Sequence, residues 1–118
     1  MTILPRRIPK ERKRDNRWRS QAHCSFVRAH ECCVPGCTAR PIEVAHVRNG
    51  SDAGMSRKPS DWFTISLCRD HHSEQHRIGE ASFAKAHRID LHALAKAFAD
   101  ASPKAAEIRR AKTERLAA

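Results

Sequence analysis

The sequence has few aromatic residues: its 118 residues include four Phe, two Trp and no Tyr, which is 5% of the chain. Hydrophobic residues make up 40%, but much of that share is alanine. A chain of this length forms one domain rather than two, and a core built mainly from alanine is thin. Small domains of this kind often need a disulfide or a structural metal, so the composition predicts such a cross-link.

Long apolar runs are also absent. No segment approaches the roughly 20 apolar residues that a membrane-spanning helix needs, and no apolar stretch follows the basic N-terminal residues as in a secretory signal. We therefore predict a cytoplasmic protein without a membrane partner. Cysteines stay reduced there, so five cysteines with eight histidines indicate metal ligation more than disulfides.

Positive charge is abundant. The formal net charge is +10, and residues 1–19 supply more than half of it, with eight Lys or Arg residues against two acidic residues. Such a segment is attracted to phosphate backbones, although a solvated tail would have the same composition. We predict a basic, flexible arm over residues 1–19 that contacts nucleic acid. The contacting residues would be Arg6, Arg7, Lys10, Arg12, Lys13, Arg14, Arg17 and Arg19.

The middle of the chain reads as an α+β domain over residues 20–79. A helix is predicted from about Ser20, and the alternating, β-branched stretches 42–47 and 62–67 predict two strands. Residues 69–78 predict a helix that ends at Gly79.

Residues 80–118 predict a helical C-terminal extension. The pattern indicates one helix over about 81–88, a second that begins after an N-cap at Asp90, and a third that starts at Ser102-Pro103. The third helix consists mostly of Ala, Lys, Arg and Glu, and we expect it to be solvent-exposed.

Cysteine and histidine are concentrated at two places. Cys32 and Cys37 flank a Pro-Gly turn, whereas Cys68 and His71 lie three residues apart where a strand meets a helix. Two ligands from a turn and two from a helix start are the usual plan of a tetrahedral zinc site. The spacing alone does not decide between Cys32 and Cys33 as the first ligand.

The remaining histidines suggest a second site. His72 and His76 share a helix face that is rotated by about 100° from the face of His71, so the helix can serve two ions. Alternatively, Cys68, His72 and His76 hold one ion and His71 is exposed. His46 lies in the strand between the two cysteine clusters. Beside a metal-bound phosphate, its neutral imidazole can act as the general base of phosphodiester hydrolysis.

The stretches CCVPGC, EVAHV and TISLCRDHHSEQH, within about residues 30–79, resemble an HNH nuclease of the ββα-metal fold. Many HNH domains open with two cysteines separated by four residues, which favours Cys32 over Cys33 and leaves Cys33 and Cys24 as buried thiols. The closing stretch with RIGEASF is similar to small phage and prophage-encoded HNH proteins, including recombination-enhancing nucleases.

The resemblance implies a DNA endonuclease that nicks or cuts by hydrolysing phosphodiester bonds. His46 corresponds to the general base, and His72 and His76 correspond to the residues that hold a catalytic divalent cation, Mg²⁺, Mn²⁺ or another. The structural Zn²⁺ would be held by Cys32, Cys37, Cys68 and His71.

Two positions depart from the family pattern. Ala45 stands just before the base, where many members carry Asp or His as another ligand. Glu43 is at an odd offset from the base, so we expect it on the opposite face of the strand. The family's middle Asn would fall at Phe63, and Asn49 and Asp61 are the nearby polar residues.

Two other functions fit the same sequence. One is a non-catalytic, zinc-stapled nucleic-acid-binding protein, a degenerate HNH domain in which His46, His72 and His76 have no role. The other is a zinc-binding interaction domain whose partner is a protein. All three share the predicted fold, a small zinc-stapled ββα core with flanking helices and a basic arm.

Overall fold

The computed structural model describes residues 2–9, 17–54 and 57–117. Within these residues the chain is an α+β protein with one two-stranded sheet and five helices. The strands are β1 (Ile42–His46) and β2 (Thr64–Cys68). The helices are α1 (Gln21–Arg28), α2 (Arg69–Ile78), α3 (Glu80–His87), α4 (Leu91–Ala101) and α5 (Ala105–Ala117). No helix in the described ranges is long and apolar enough to cross a bilayer.

Three predicted helix boundaries are confirmed by their capping groups. The Ser20 side chain accepts the His23 N–H and begins α1, and the Asp90 carboxylate accepts the Ala93 N–H and begins α4. At the end of α2, Gly79 has a φ of +88°, a left-handed conformation that glycine adopts at little cost.

The two strands pair antiparallel, with Ile42 opposite Cys68 and His46 opposite Thr64. All of β2 is buried. Among the described residues each strand pairs with the other alone, so the outer edge of β1 carries no further strand.

The second strand begins two residues later than the predicted 62–67. The Phe63 N–H donates to the Ser60 carbonyl, and the Thr64 hydroxyl donates to the Asp61 carbonyl. These bonds close a turn immediately before β2, because the local side-chain chemistry competes with strand pairing there.

The main core joins the strands to the helices that follow them. Ile65 and Leu67 of β2 pack in one cluster with Phe83 of α3 and with Leu91 and Ala95 of α4, all of them buried. The predicted C-terminal extension therefore shares a core with the sheet over residues 80–101.

The expectation of a solvent-exposed last helix is wrong for one face of α5. Ile108 is only 2% exposed and packs against Trp62 and Ala99. One buried large apolar side chain, with the half-buried Ala111 beside it, is enough to dock that face of the helix. On the same side, the Trp18 Nε1–H donates to the Glu107 carboxylate at 3.1 Å.

The expected flexible arm does not extend to residue 19. The Arg17 Nε–H donates to the Asp52 carbonyl, and the Asp61 N–H donates to the Trp18 carbonyl. Arg19 donates to the carbonyls of residues 58 and 59. The backbone of residues 17–20 is thus fixed along the loop that precedes β2.

Asp52 fastens that loop to the C-terminal helix. Its carboxylate accepts bonds from the Ser60 N–H and hydroxyl and from the Arg115 guanidinium of α5.

Of the other basic residues in the predicted arm, the structure describes two and leaves four undescribed. Arg6 and Arg7 lie in residues 2–9, which are exposed and form neither helix nor strand. Lys10, Arg12, Lys13 and Arg14 lie outside the described residues.

We predict that Ile108→Ala lowers the free energy of unfolding by about 2–5 kcal/mol, because it leaves a cavity between α5 and Trp62. Urea denaturation of the zinc-loaded protein measures the change. Leu116→Ala is the matched control, since Leu116 is 90% exposed on the same helix, and it should change the stability little. Equal effects of the two substitutions would contradict the docking of α5.

Candidate metal centre and the adjoining basic cleft

Four side chains converge where the cysteine turn meets the start of α2. One ligand atom from each of Cys32, Cys37, Cys68 and His71 lies within 4.8 Å of all the others. The His71 Nδ1 is 3.4 Å from the Cys32 sulfur and 3.2 Å from the Cys68 sulfur, and the Cys37 and Cys68 sulfurs are 3.9 Å apart.

These distances fit one tetrahedral zinc ion. Zinc bonds of about 2.3 Å to sulfur and 2.0–2.1 Å to nitrogen place two sulfurs about 3.8 Å apart, and a sulfur and a nitrogen about 3.5 Å apart. The Cys₃His cluster could therefore hold a metal such as zinc, and its members are the four predicted ligands.

Local backbone geometry forms both halves of the cluster. The Cys37 N–H donates to the Val34 carbonyl across the Pro-Gly turn, where Gly36 has a φ of +80°. A positive φ at the third residue of a turn with Pro before it is the type II pattern. On the other side, the Cys68 sulfur caps α2 by accepting the His71 N–H.

The thiols of the cluster differ in their acidity. Burial raises the pKa of Cys32 to about 11, whereas a backbone hydrogen bond at Ala39 is the main reason that the pKa of Cys37 lies below its ordinary value. Cys32 is therefore a neutral thiol at pH 7 without a cation, and zinc binding would release its proton.

Cys33 and Cys24 lie apart from the cluster and are half-buried rather than fully buried as expected. The Cys33 sulfur is 3.4 Å from the Ser66 hydroxyl. Burial and the neighbouring Asp61 carboxylate raise the pKa of Cys24 to about 11, so it is an unreactive thiol at neutral pH. All five cysteines, each among the described residues, are free thiols.

We predict that Cys32→Ser removes the bound zinc, whereas Cys33→Ser retains one zinc per chain. The two neighbours make a matched pair, because the Cys32 sulfur lies beside His71 whereas the Cys33 sulfur lies beside Ser66. Elemental analysis of the purified proteins measures the zinc content. Loss of zinc from Cys33→Ser with retention in Cys32→Ser would reverse the assignment of the ligand.

His46 pairs with Asp61 at the far end of β1. The His46 Nε2 is 2.9 Å from one Asp61 carboxylate oxygen, and the other oxygen accepts the Ser20 N–H. Burial alone would raise the pKa of Asp61, but the hydrogen bonds from His46 and Ser20 outweigh it and the pKa lies below its ordinary value. An ionised carboxylate only accepts, so Nε2 of His46 carries the proton and Nδ1 of the neutral ring is an acceptor.

His72 lies between two partners, Glu43 of β1 and His76 of α2. Its Nδ1 is 2.9 Å from the Glu43 carboxylate, and its Nε2 is 3.2 Å from the Nε2 of His76. Two nitrogens that bind one ion at about 2.1 Å are about 3.0–3.4 Å apart. The pair of Nε2 atoms thus fits a shared cation in addition to the Cys₃His cluster.

One cleft of about 610 Å³ brings these groups together along the open edge of β1. It is lined by His46 and Asp61 and by Glu43, His72 and His76. The other charged residues that line the cleft are cationic, namely Arg19, Arg28, Arg48 and Lys58. The cleft can therefore receive an anionic ligand between an acceptor imidazole and a candidate cation site.

Sequence reasoning placed some of these residues and missed others. Asp61 was one of two polar candidates near the base, and the structure sets it beside His46, whereas the Asn49 N–H is bound by Glu80 in a separate groove. Glu43 was expected away from the site but lines the same cleft. The cations of the cleft carried no pattern in the sequence that distinguished them from other surface charges.

Fold and site together define a small α+β protein with a Cys₃His cluster suited to zinc. The chain belongs to the family described as "Protein of unknown function (DUF968)", whose model matches residues 6–104. The match runs from the N-terminal arm to the residue before α5. No curated protein and no solved structure matches the chain.

Proposed function

We propose that the protein is a metal-dependent DNA endonuclease of the HNH type, with a ββα-metal core formed by β1, β2 and α2. The observation that carries the proposal is the shared cleft. It combines an imidazole whose Nδ1 is left as the acceptor nitrogen, a pair of imidazoles spaced for one cation, and a cationic wall.

His46 would act as the general base. Its Nδ1 takes a proton from the water that attacks the phosphodiester, and the Asp61 carboxylate stabilises the imidazolium that forms. Asp61 is itself held by the Ser20 N–H and by Arg19, so the imidazole keeps one orientation during the proton transfer.

The pair His72 and His76 would hold the divalent cation. When bound, the cation supplies positive charge to the scissile phosphate and to the leaving oxygen. The Cys₃His cluster has four protein ligands and no open position, which is the arrangement of a structural rather than a catalytic zinc.

The substrate class follows from the charge of the cleft. Arg28, Arg48 and Lys58 border it, and side chains of this kind bind phosphate oxygens without reading the bases. The basic segment over residues 6–14 adds further positive charge at the N-terminal end of the chain, so DNA is the expected partner.

We predict that the zinc-loaded protein nicks or cleaves supercoiled plasmid DNA when Mn²⁺ or Mg²⁺ is added, and that His46→Ala abolishes cleavage. Zinc content should be unchanged, because His46 is not a ligand of the Cys₃His cluster. His92→Ala, an exposed histidine of α4, is the control and should cleave like the unsubstituted protein.

Two results would decide against the nuclease. DNA binding without cleavage across Mg²⁺, Mn²⁺, Co²⁺ and Ni²⁺ would favour the non-catalytic nucleic-acid-binding protein. Absence of DNA binding even at low salt would favour a zinc-binding domain with a protein partner.

We also predict that the arm contributes to DNA binding through its charge. Replacing Arg6, Arg7, Lys10, Arg12, Lys13 and Arg14 by Gln should weaken binding and reduce the slope of log K against log[salt] by about 0.9 per lost phosphate contact. Arg17 and Arg19 are left in place because they fix the loop before β2. Fluorescence anisotropy at several salt concentrations measures the slope, and an unchanged slope would show that the arm does not touch DNA.

A further inference from the structure

We propose that Glu43 is a positioning residue of the cation site. Its carboxylate holds the Nδ1–H of His72 and thereby directs the Nε2 of His72, together with the Nε2 of His76, at one divalent cation. This inference rests on the proposed function, because it assigns a role within the same cleft.

The hydrogen-bond chemistry of His72 leads to this role. An ionised carboxylate accepts and cannot donate, so the 2.9 Å contact between Glu43 and His72 places the proton of the neutral ring on Nδ1. The lone pair is then on Nε2, the atom that faces His76 at 3.2 Å. Carboxylates that hold the second nitrogen of a metal-binding histidine fix the tautomer and the ring orientation in this way.

The strand places Glu43 where it can reach the helix. Residues 43, 45 and 47 alternate with 42, 44 and 46 along β1, and Ala45 and Val47 are fully buried. Glu43 lies opposite Leu67, one residue before the Cys68 cap of α2. The first turns of α2 therefore begin beside Glu43.

The contact between Glu43 and His72 matters more because residue 45 is an alanine. Ala45 offers no ligand atom, so the proposed protein ligands of the cation are the two imidazoles of α2. The negative charge of Glu43, transmitted through the ring of His72, partly balances the charge of a divalent cation. A surface ion pair without a metal role would contribute little to stability, since the Glu43 side chain is 43% exposed.

Direct cation binding tests the assignment. Zinc-loaded protein is titrated with Mn²⁺, and free Mn²⁺ is followed by electron paramagnetic resonance. We expect one Mn²⁺ site in the unsubstituted protein, about 10- to 100-fold weaker binding in Glu43→Ala, and an intermediate effect in Glu43→Gln, whose amide oxygen still accepts the Nδ1–H. Glu114→Gln removes the same charge from an exposed position on α5 and should bind Mn²⁺ normally.

Two further readouts separate positioning from a structural role. Long-range ¹H–¹⁵N NMR should show the Nδ1–H tautomer of His72 in the cation-free protein and a mixture of tautomers in Glu43→Ala, with zinc content unchanged in both. Saturating Mn²⁺ should restore much of the plasmid cleavage by Glu43→Ala, because the two ligand nitrogens remain.

The outcomes distinguish this inference from the proposed function. If the unsubstituted protein binds Mn²⁺ and His72→Ala abolishes binding, but Glu43→Ala binds within twofold of the unsubstituted protein, the role of Glu43 is refuted while the cation site stands. If His72→Ala and the unsubstituted protein both fail to bind a divalent cation, the proposed function fails and the role of Glu43 fails with it.

Discussion

The Cys₃His cluster is the constraint on which the other elements depend. It ties the turn at residues 32–37 to the junction of β2 and α2, and one of its ligands, Cys68, is also the cap of α2. The rotation of α2 about its axis is therefore set by the cluster. Because His71 faces the cysteines, His72 and His76 must face elsewhere, and the direction left to them is the cleft at the edge of β1.

The parts of the fold that sequence reasoning predicted are those governed by neighbours along the chain. Capping by Ser20 and Asp90, the stop at Gly79 and the spacing of Cys68 from His71 each depend on a few consecutive residues. The same local rules gave the order of strands and helices. The alanine-rich composition likewise indicated a cross-link without showing how the helices would pack, and the buried core itself consists mostly of larger apolar side chains.

The features of the fold and of the site that the sequence did not predict depend on contacts between residues far apart along the chain. Alternation along β1 assigns Glu43 to a face, but whether its long side chain reaches His72 depends on where α2 lies against the sheet. Asp61 reaches His46 from the turn that precedes β2, and the sequence does not show which way that turn directs its side chain. Ile108 gives α5 a docking point, and its partner Trp62 lies far away in sequence, so helical periodicity alone indicated an exposed helix.

The bonds that Asp52 makes with Ser60 and with Arg115 have a consequence for the order in which the chain assembles. Cys32 and His71 are 39 residues apart, whereas Trp18 and Glu107 are 89 apart. A zinc ion bound by Cys32 and His71 would shorten the chain path between Trp18 and Glu107 by roughly half. The entropy cost of bringing Trp18 and Glu107 together would then fall by about 0.6 kcal/mol. Arg115, which also binds Asp52, is synthesised after every residue of the sheet. On the ribosome, the sheet and the Cys₃His cluster can therefore form first, and the loop that leads to Asp61 gains its last support only when α5 has emerged.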